Sequence, residues 1–433
     1  MSSPVDRALC EASLTPFWLD DAQRPQAERA LTADVTADLV IVGGGFTGLC
    51  AAVQAKEAHP EKSIVLLEAR EIAAGASGRP GGIISTSVMH GLRNEASVFP
   101  DDVEAIERLG KENLDGFRAA VERFGIDADI EWNGEMTVAV SADGLEKIRD
   151  EYEPHQSHGH DVELLDREET QNELRSPVFE GAMWSRQRSG IVHPAKLAWG
   201  LKAAAIGLGV RVFEHSPMEA VEDHGDALVI VTPGGRVAAN RVLFATNAWT
   251  AGHRKIKRRV MAMRDRVLAT APLTDEQLGR LGWKNRQGVY DTRAQLNYMR
   301  LTRDNRIVFG RSVRYYFNGD INPAVDQERE SFRDLVSSFY EKFPQLSDLG
   351  ITHLWGGSID YCSRFSVFFE RLFGEKAVYV GSTQASVSLG ADLARASASL
   401  FSMVRIFRSS SWKSSPAGPT SFRPDPFAGS GRG

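Results

Sequence analysis

The chain has 433 residues, 42% hydrophobic and 25% charged, with a net charge of −6, which is enough material for two cores of ordinary globular composition. The acidic balance gives no electrostatic reason to expect nucleic acid, and no apolar run reaches the length of a membrane span. The N-terminus carries acids and lacks the apolar centre of an export signal, and Cys10, Cys50 and Cys362 make neither a disulfide framework nor a zinc site, so a cytoplasmic protein is expected.

Residues 1–36 look irregular, except for Phe17-Trp18-Leu19-Asp20, where two adjacent aromatics can pin the arm to the body. Next comes Asp38–Gly48, DLVIVGGGFTG. Leu39–Val42 reads as a strand buried on both faces. Gly43, Gly45 and Gly48 follow in G-x-G-x-x-G order, and Phe46 and Thr47 open an Ala-rich helix. In such a corner the first glycine makes the turn, the second admits a pyrophosphate, and the third lets helix and strand approach. The helix N-terminus adds free N–H groups and a partial positive charge. A second apolar run, Ser63–Leu67, ends in Glu68, at the spacing of a ribose-binding acid, with Ala69 beside it.

Gly75–Gly82 (GASGRPGG) is small and flexible enough either to run along a flat ligand or to be a surface loop. Its position directly after the acid-bearing strand favours the ligand, with Arg79 a candidate for a phosphate or flavin oxygen. Residues 91–185 change character: a helix over Val103–Phe124, strands over Ile130–Val140 with a turn at Gly134, then a charged helix-or-loop stretch over 144–175. This reads as a second domain inserted into the first. A helix then starts at His193-Pro194. Strands follow at Val210–Glu214, Ala227–Thr232 and Arg236–Val242, the last two joined by a Pro233-Gly234-Gly235 turn. Residues 258–320 alternate as a mixed sheet, and Leu296, Tyr298 and Arg300 share one strand face. A helix is expected over 325–343, a strand over Ala377–Val380, and a helix after Ser386. The Ser-, Pro- and Gly-rich tail 409–433 is expected to be disordered.

The order of these motifs resembles the FAD-dependent D-amino-acid oxidase superfamily of sarcosine and glycine oxidases. The motifs are the glycine fingerprint, Gly75–Gly82, a strand ending Ala245-Thr246-Asn247-Ala248-Trp249, the Tyr298-x-Arg300 strand, and Trp355-Gly356-Gly357-x-x-Asp360. Phe17–Asp20 and Gly75–Gly82 are most similar to the γ-glutamylputrescine oxidoreductase branch. The resemblance implies an α/β fold. A doubly wound, Rossmann-like FAD domain (1–90, 190–255 and 350–408) would carry a second α+β substrate domain with a mixed sheet (91–189 and 256–349).

The resemblance also implies the cofactor contacts. Gly43, Gly45, Phe46, Thr47 and Gly48 would hold the pyrophosphate, and Glu68 with Ala69 the adenosine ribose. Ser77, Arg79, Gly81 and Gly82 would line the flavin, Val221 the adenine, and Asn247 and Trp249 the cofactor edge. Gly357, Asp360, Gly381, Ser382, Thr383 and Gln384 would lie near the ring and ribityl chain. The closing helix would aim its N-terminus at the pyrimidine end. The implied chemistry is oxidation of a C–N bond in an amine or amino-acid derivative, by hydride transfer to flavin N5 with oxygen as acceptor. Tyr298, Arg300 and His193 are the catalytic candidates, each with a purely structural alternative. Two departures leave the substrate open: Ser382–Ser386 stands where relatives have a glycine-rich loop, and Trp355–Ile359 holds no carboxylate-clamping arginine, Arg364 being the nearest. A dehydrogenase or monooxygenase with another acceptor, or a flavin-binding protein without oxidase activity, remain alternatives.

Overall fold

The computed structural model describes residues 3–381, apart from 89–90, 253–255, 257, 316–320 and 363–365. Ser382, Thr383, Gln384, Arg364, the closing helix and the tail therefore lie outside the described residues.

The first strand, Val35–Val42, sits inside a sheet ordered Phe368–Leu372, Ala377–Gly381, Gly235–Phe244, Val35–Val42, Ile64–Leu67 and Arg211–Phe213. Four of the five pairings along this order are parallel, the arrangement that buries both faces of a strand. Accordingly, Leu39 and Ile41 enter one core while Val40 and Val42 enter another. The helix Phe46–Ala58 and the helix Pro194–Gly207 cover the first of these faces. An antiparallel hairpin, Ala220–Asp223 with Leu228–Thr232, extends the long strand Gly235–Phe244.

A second sheet is mixed. It is ordered Ile351–Tyr361, Met261–Thr270, Ile307–Tyr315, Asn297–Leu301, Gly288–Asp291, Glu135–Ala139, Gly181–Ser185 and Val162–Leu165. All its pairings are antiparallel except that between Gly288–Asp291 and Glu135–Ala139. One face presents Met136, Val289, Met299 and Phe309 to the helix Arg333–Lys342 and the residues around it. The opposite face carries Tyr290, Tyr298, Asp265 and Gly357 and looks toward the first sheet. Under the apolar face, Lys342 Nζ lies 3.1 Å from Asp291 Oδ2 and donates to Asn297 Oδ1 at 2.8 Å, tying helix to sheet where none of the three is exposed.

Three expectations need correction. Residues 1–36 are not wholly irregular: Pro4–Glu11 is a helix, started by Pro4 after a Ser3 side-chain cap. The stretch 144–175 contains an edge strand, Val162–Leu165, between two helices. The segment from 350 does not belong wholly to the first unit, because Ile351–Tyr361 pairs along its length with Met261–Thr270 of the second sheet. Among the described residues, no helix is long and apolar enough to cross a membrane.

Candidate functional site

The corner after the first strand opens into a cavity of about 510 Å³ between the two sheets. Gly43 has φ +111°, and a Cβ there would stand 2.4 Å from Ala245 O, so only glycine fits the turn. At Gly48 a Cβ would meet Gly43 O at 1.9 Å; this residue sets the distance between helix and strand and does not itself line the cavity. Gly45 caps the helix, and Ser77 Oγ accepts from Phe46 N–H at 2.9 Å. Among the described residues, the N–H groups of Gly45 and Thr47 have no acceptor, and both residues line the cavity.

Glu68 is placed at the same end, with Ala69 beside it. Its carboxylate accepts from Gly44 N–H at 2.8 Å and Arg70 N–H at 3.0 Å, and burial raises its pKa despite those two bonds. Two amides fix the direction of the acid and leave lone pairs for a sugar. Amides without acceptors, a cradle that a Cβ would fill and an oriented acid together fit an adenosine diphosphate half.

The loop Gly75–Gly82 forms the long wall. Arg79 Nη1 donates to Gly356 O at 2.6 Å and Nε to Ala74 O at 3.0 Å, so the guanidinium braces the loop against the second sheet. Burial lowers its pKa to about 10, with Asp326 4.0 Å away opposing that shift. Trp249 is 41% exposed at the rim, with the Arg70 guanidinium 5.8 Å from its ring centroid. Asn247, also in the lining, donates through Nδ2 to Asp360 Oδ1 at 2.9 Å.

The far end belongs to the second sheet. The Tyr298 ring is flanked by Gly81 and Gly310, where an added Cβ would meet it at 2.5 and 2.0 Å respectively. Tyr290 lies opposite Tyr298 on the neighbouring strand, and Asp265 and Gly357 are partners where Met261–Thr270 pairs with Ile351–Tyr361. Burial raises both tyrosine pKa values well above normal, helped at Tyr298 by Asp265 and at Tyr290 by Glu135. Neither hydroxyl has a hydrogen-bond partner among the described residues.

Five expected site residues stand elsewhere. His193 caps the helix Pro194–Gly207, where Nδ1 accepts from Lys196 N–H at 3.2 Å; burial lowers its pKa to about 4, and it does not reach the cavity. Arg300 is buried behind the wall and spends its donors on the carbonyls of Val192, Leu301 and Gly82. Val221 pairs with Ile230 in the hairpin, and Ser216, Pro217 and Met218 line the cavity in its place. Asp360 lies beneath the lining, accepting from Asn247 and from Tyr379 at 3.1 Å. Gly381 faces the Phe368 and Tyr379 rings. The lining residues that sequence reasoning missed include Gly44, Arg70, Ser216, Pro217, Met218, Asp265 and Tyr290. For Tyr290 the available signal was its strand pairing with the Tyr298 strand; Met218 had none.

Comparison with known proteins gives a consistent result. The family model described as FAD dependent oxidoreductase (DAO) matches residues 38–398. The chain is 32% identical to gamma-glutamylputrescine oxidoreductase of Escherichia coli over 333 residues, 76% of this chain and 75% of that protein. It is 27% identical to the probable oxidoreductase OrdL of Haemophilus influenzae over 369 residues, covering 82% and 80% of the two chains. Among solved structures it resembles glycine oxidase from Geobacillus kaustophilus, with a TM-score of 0.70 and 18% identity over 90% of this chain and 99% of that one, a likeness of fold.

Proposed function

The chain belongs to the FAD dependent oxidoreductase (DAO) family, with FAD as cofactor, and from that premise we propose that it oxidises a C–N bond of an amine or amino-acid derivative in the cytoplasm. One observation carries the reading: a single cavity runs from the glycine corner and Glu68 to Tyr290, Tyr298 and Asp265 on the second sheet. That span has a place for each half of a dinucleotide and, beyond it, a wall of a different chemical character. In this reading the first sheet's unit carries the cofactor and the second sheet supplies the substrate wall. The E. coli relative's name points to an amine at the end of a chain, and we take a primary or secondary amine of that kind as the substrate class.

When bound, FAD would supply the two-electron acceptor for oxidation of the carbon beside the amine nitrogen, with dioxygen as the final acceptor. The protein's part is positioning. The N–H groups of Gly45 and Thr47 hold the diphosphate, and Glu68 holds the ribose hydroxyls. Tyr290 and Tyr298 are phenols whose pKa values burial pushes further up, and in this reading they orient the substrate by donating hydrogen bonds. Asp265 places a carboxylate on the same wall, suited to the cationic end of an amine. Val267, Ile83 and Ile359 make apolar surface that keeps water from the reacting carbon.

The test is direct. The purified protein should be yellow, its flavin should bleach anaerobically with one of a panel of polyamines, γ-glutamyl amines and N-methyl amino acids, and hydrogen peroxide should form in air. A protein purified natively without flavin would refute the reading. Bleaching without peroxide would leave the amine chemistry and replace the acceptor.

A further inference from the structure

The loop that forms the long cavity wall is held by its carbonyl groups from outside. Trp18 Nε1 donates to Pro80 O at 2.7 Å. Trp355 Nε1 donates to Arg79 O at 2.9 Å. Arg300 Nη1 donates to Gly82 O at 3.3 Å, beside the Val192 N–H at 2.8 Å. Three buried side chains from three separate parts of the chain thus converge on the carbonyls of Arg79, Pro80 and Gly82. The peptide bonds are trans, so a carbonyl turned toward Trp18 turns the next N–H the opposite way. That N–H belongs to Gly81, which lines the cavity and has no acceptor among the described residues. The neighbouring Pro80 has no N–H to compete.

Trp18 itself is fixed with unusual care for a residue so near the chain's start. It is wholly buried; the His193 ring meets it edge-on with centroids 4.8 Å apart, and the Arg300 guanidinium lies 5.2 Å from its ring centroid. The arm that carries it is stitched to the second sheet: Ser13 N–H donates to Thr352 O, Leu354 N–H donates to Ser13 O, and His353 Nε2 lies 3.1 Å from Asp20 Oδ2. Two of the catalytic candidates, His193 and Arg300, thus pack on Trp18 and not in the cavity. A buried indole N–H needs an acceptor wherever it sits. What sets this one apart is that its acceptor is the carbonyl whose direction aims the Gly81 amide.

We propose that Trp18, seconded by Trp355 and Arg300, is a positioning residue for the flavin: it fixes the Pro80–Gly81 peptide so that the Gly81 N–H is presented to an acceptor atom of the bound ring. The proposal rests on the FAD reading above. A donor at the ring favours the electron-rich reduced state, so losing its orientation lowers the reduction potential and weakens any nucleophile's addition to the oxidised ring.

The experiment uses the full-length, FAD-loaded protein and Trp18→Phe, which keeps a smaller aromatic ring and removes the donor. Four readouts are taken: visible spectrum, reduction potential, sulfite dissociation constant, and kcat and KM for whichever amine bleaches the wild type. The expected result is a shifted visible band, a lower potential and sulfite binding weakened about fivefold, the scale of one hydrogen bond. kcat should fall by a similar factor at little-changed KM. Trp355→Phe should move the same readouts in the same direction, less far. A variant that melts earlier but keeps the wild-type spectrum, potential and sulfite affinity would overturn the proposal, since Trp18 would then hold only the arm. Failure of both variants to fold would overturn it equally, because the donors would be maintaining the fold and not the direction of one amide. Wild-type protein without flavin would instead sink the FAD reading.

Discussion

Replacing Glu68 with glutamine isolates the contribution of one acid to dinucleotide binding. The side chain keeps its length, so the corner is not distorted. The carboxylate accepts two backbone N–H bonds, from Gly44 at 2.8 Å and Arg70 at 3.0 Å. A carboxamide offers one oxygen and sets its NH₂ against the other donor. The ribose loses a charged acceptor as well. Charge-assisted hydrogen bonds contribute about 1.5–3 kcal/mol, so FAD affinity should fall roughly 10- to 150-fold. The assay is titration of apoprotein with FAD by quenching of flavin fluorescence at pH 8. Because burial raises the Glu68 pKa, lower pH protonates the wild-type acid first, and the gap between the proteins should narrow as pH falls. FMN lacks the adenosyl half, so its affinity should be the same in both proteins. Equal FAD affinity for wild type and variant, or an equal loss for FMN, would refute the assignment of Glu68 to the ribose.

Gly48→Ala should yield protein that loses FAD on gel filtration and is destabilised by about 1–3 kcal/mol, because its Cβ would lie 1.9 Å from Gly43 O and force helix and strand apart; full flavin retention would count against the role given to that contact. Lys342→Met removes the nearer of two cations beside the buried Asp291 carboxylate, leaving Arg293 Nε 3.7 Å away, and should cost about 3 kcal/mol in urea unfolding at pH 7; a loss under about 1 kcal/mol would show that Lys342 is not needed to balance the acid. His193 has its pKa lowered from 6.5 to about 4, so the unfolded chain takes up a proton that the native chain refuses. Native stability should therefore be full above pH 6.5 and decline as pH falls toward 4, by roughly 3 kcal/mol in all. His193→Asn, which retains a capping acceptor, should flatten that part of the melting-temperature profile, and an unchanged slope would refute the attribution.

The features legible in the sequence are those whose physics is local. A turn that only glycine can make, a helix start with spare amides and an acid at fixed spacing all lie within one strand–turn–helix–strand unit, so Gly43, Gly45 and Glu68 could be read from Asp38–Glu68 alone. The same holds for the burial of Leu39–Val42 on both faces and for the turn between Leu228–Thr232 and Gly235–Phe244. Strand alternation correctly put Tyr298 and Arg300 on one face, but it could not say how far along that face the cavity extends: Tyr298 lines it, and Arg300, two residues on, is buried behind Gly82.

Tertiary structure alone decided what depends on pairing between distant segments. Registering Met261–Thr270 against Ile351–Tyr361 brings Asp265 beside Gly357, and nothing near either residue in the chain announces it. Val221 is paired with Ile230 inside the hairpin, and the lining comes instead from Ser216, Pro217 and Met218 in the segment leading into it, a placement set by long-range pairing. His193 was a catalytic candidate with a structural alternative that its place before a proline at a helix start favoured; the capping bond to Lys196 N–H is local, whereas its packing against Trp18 exists only once the N-terminal arm has docked. Local chemistry specifies a conformation within a few residues, whereas the identity of a neighbour 62 or 333 positions away, such as Pro80 for Trp18 or His353 for Asp20, is set by the energy of the whole packed fold.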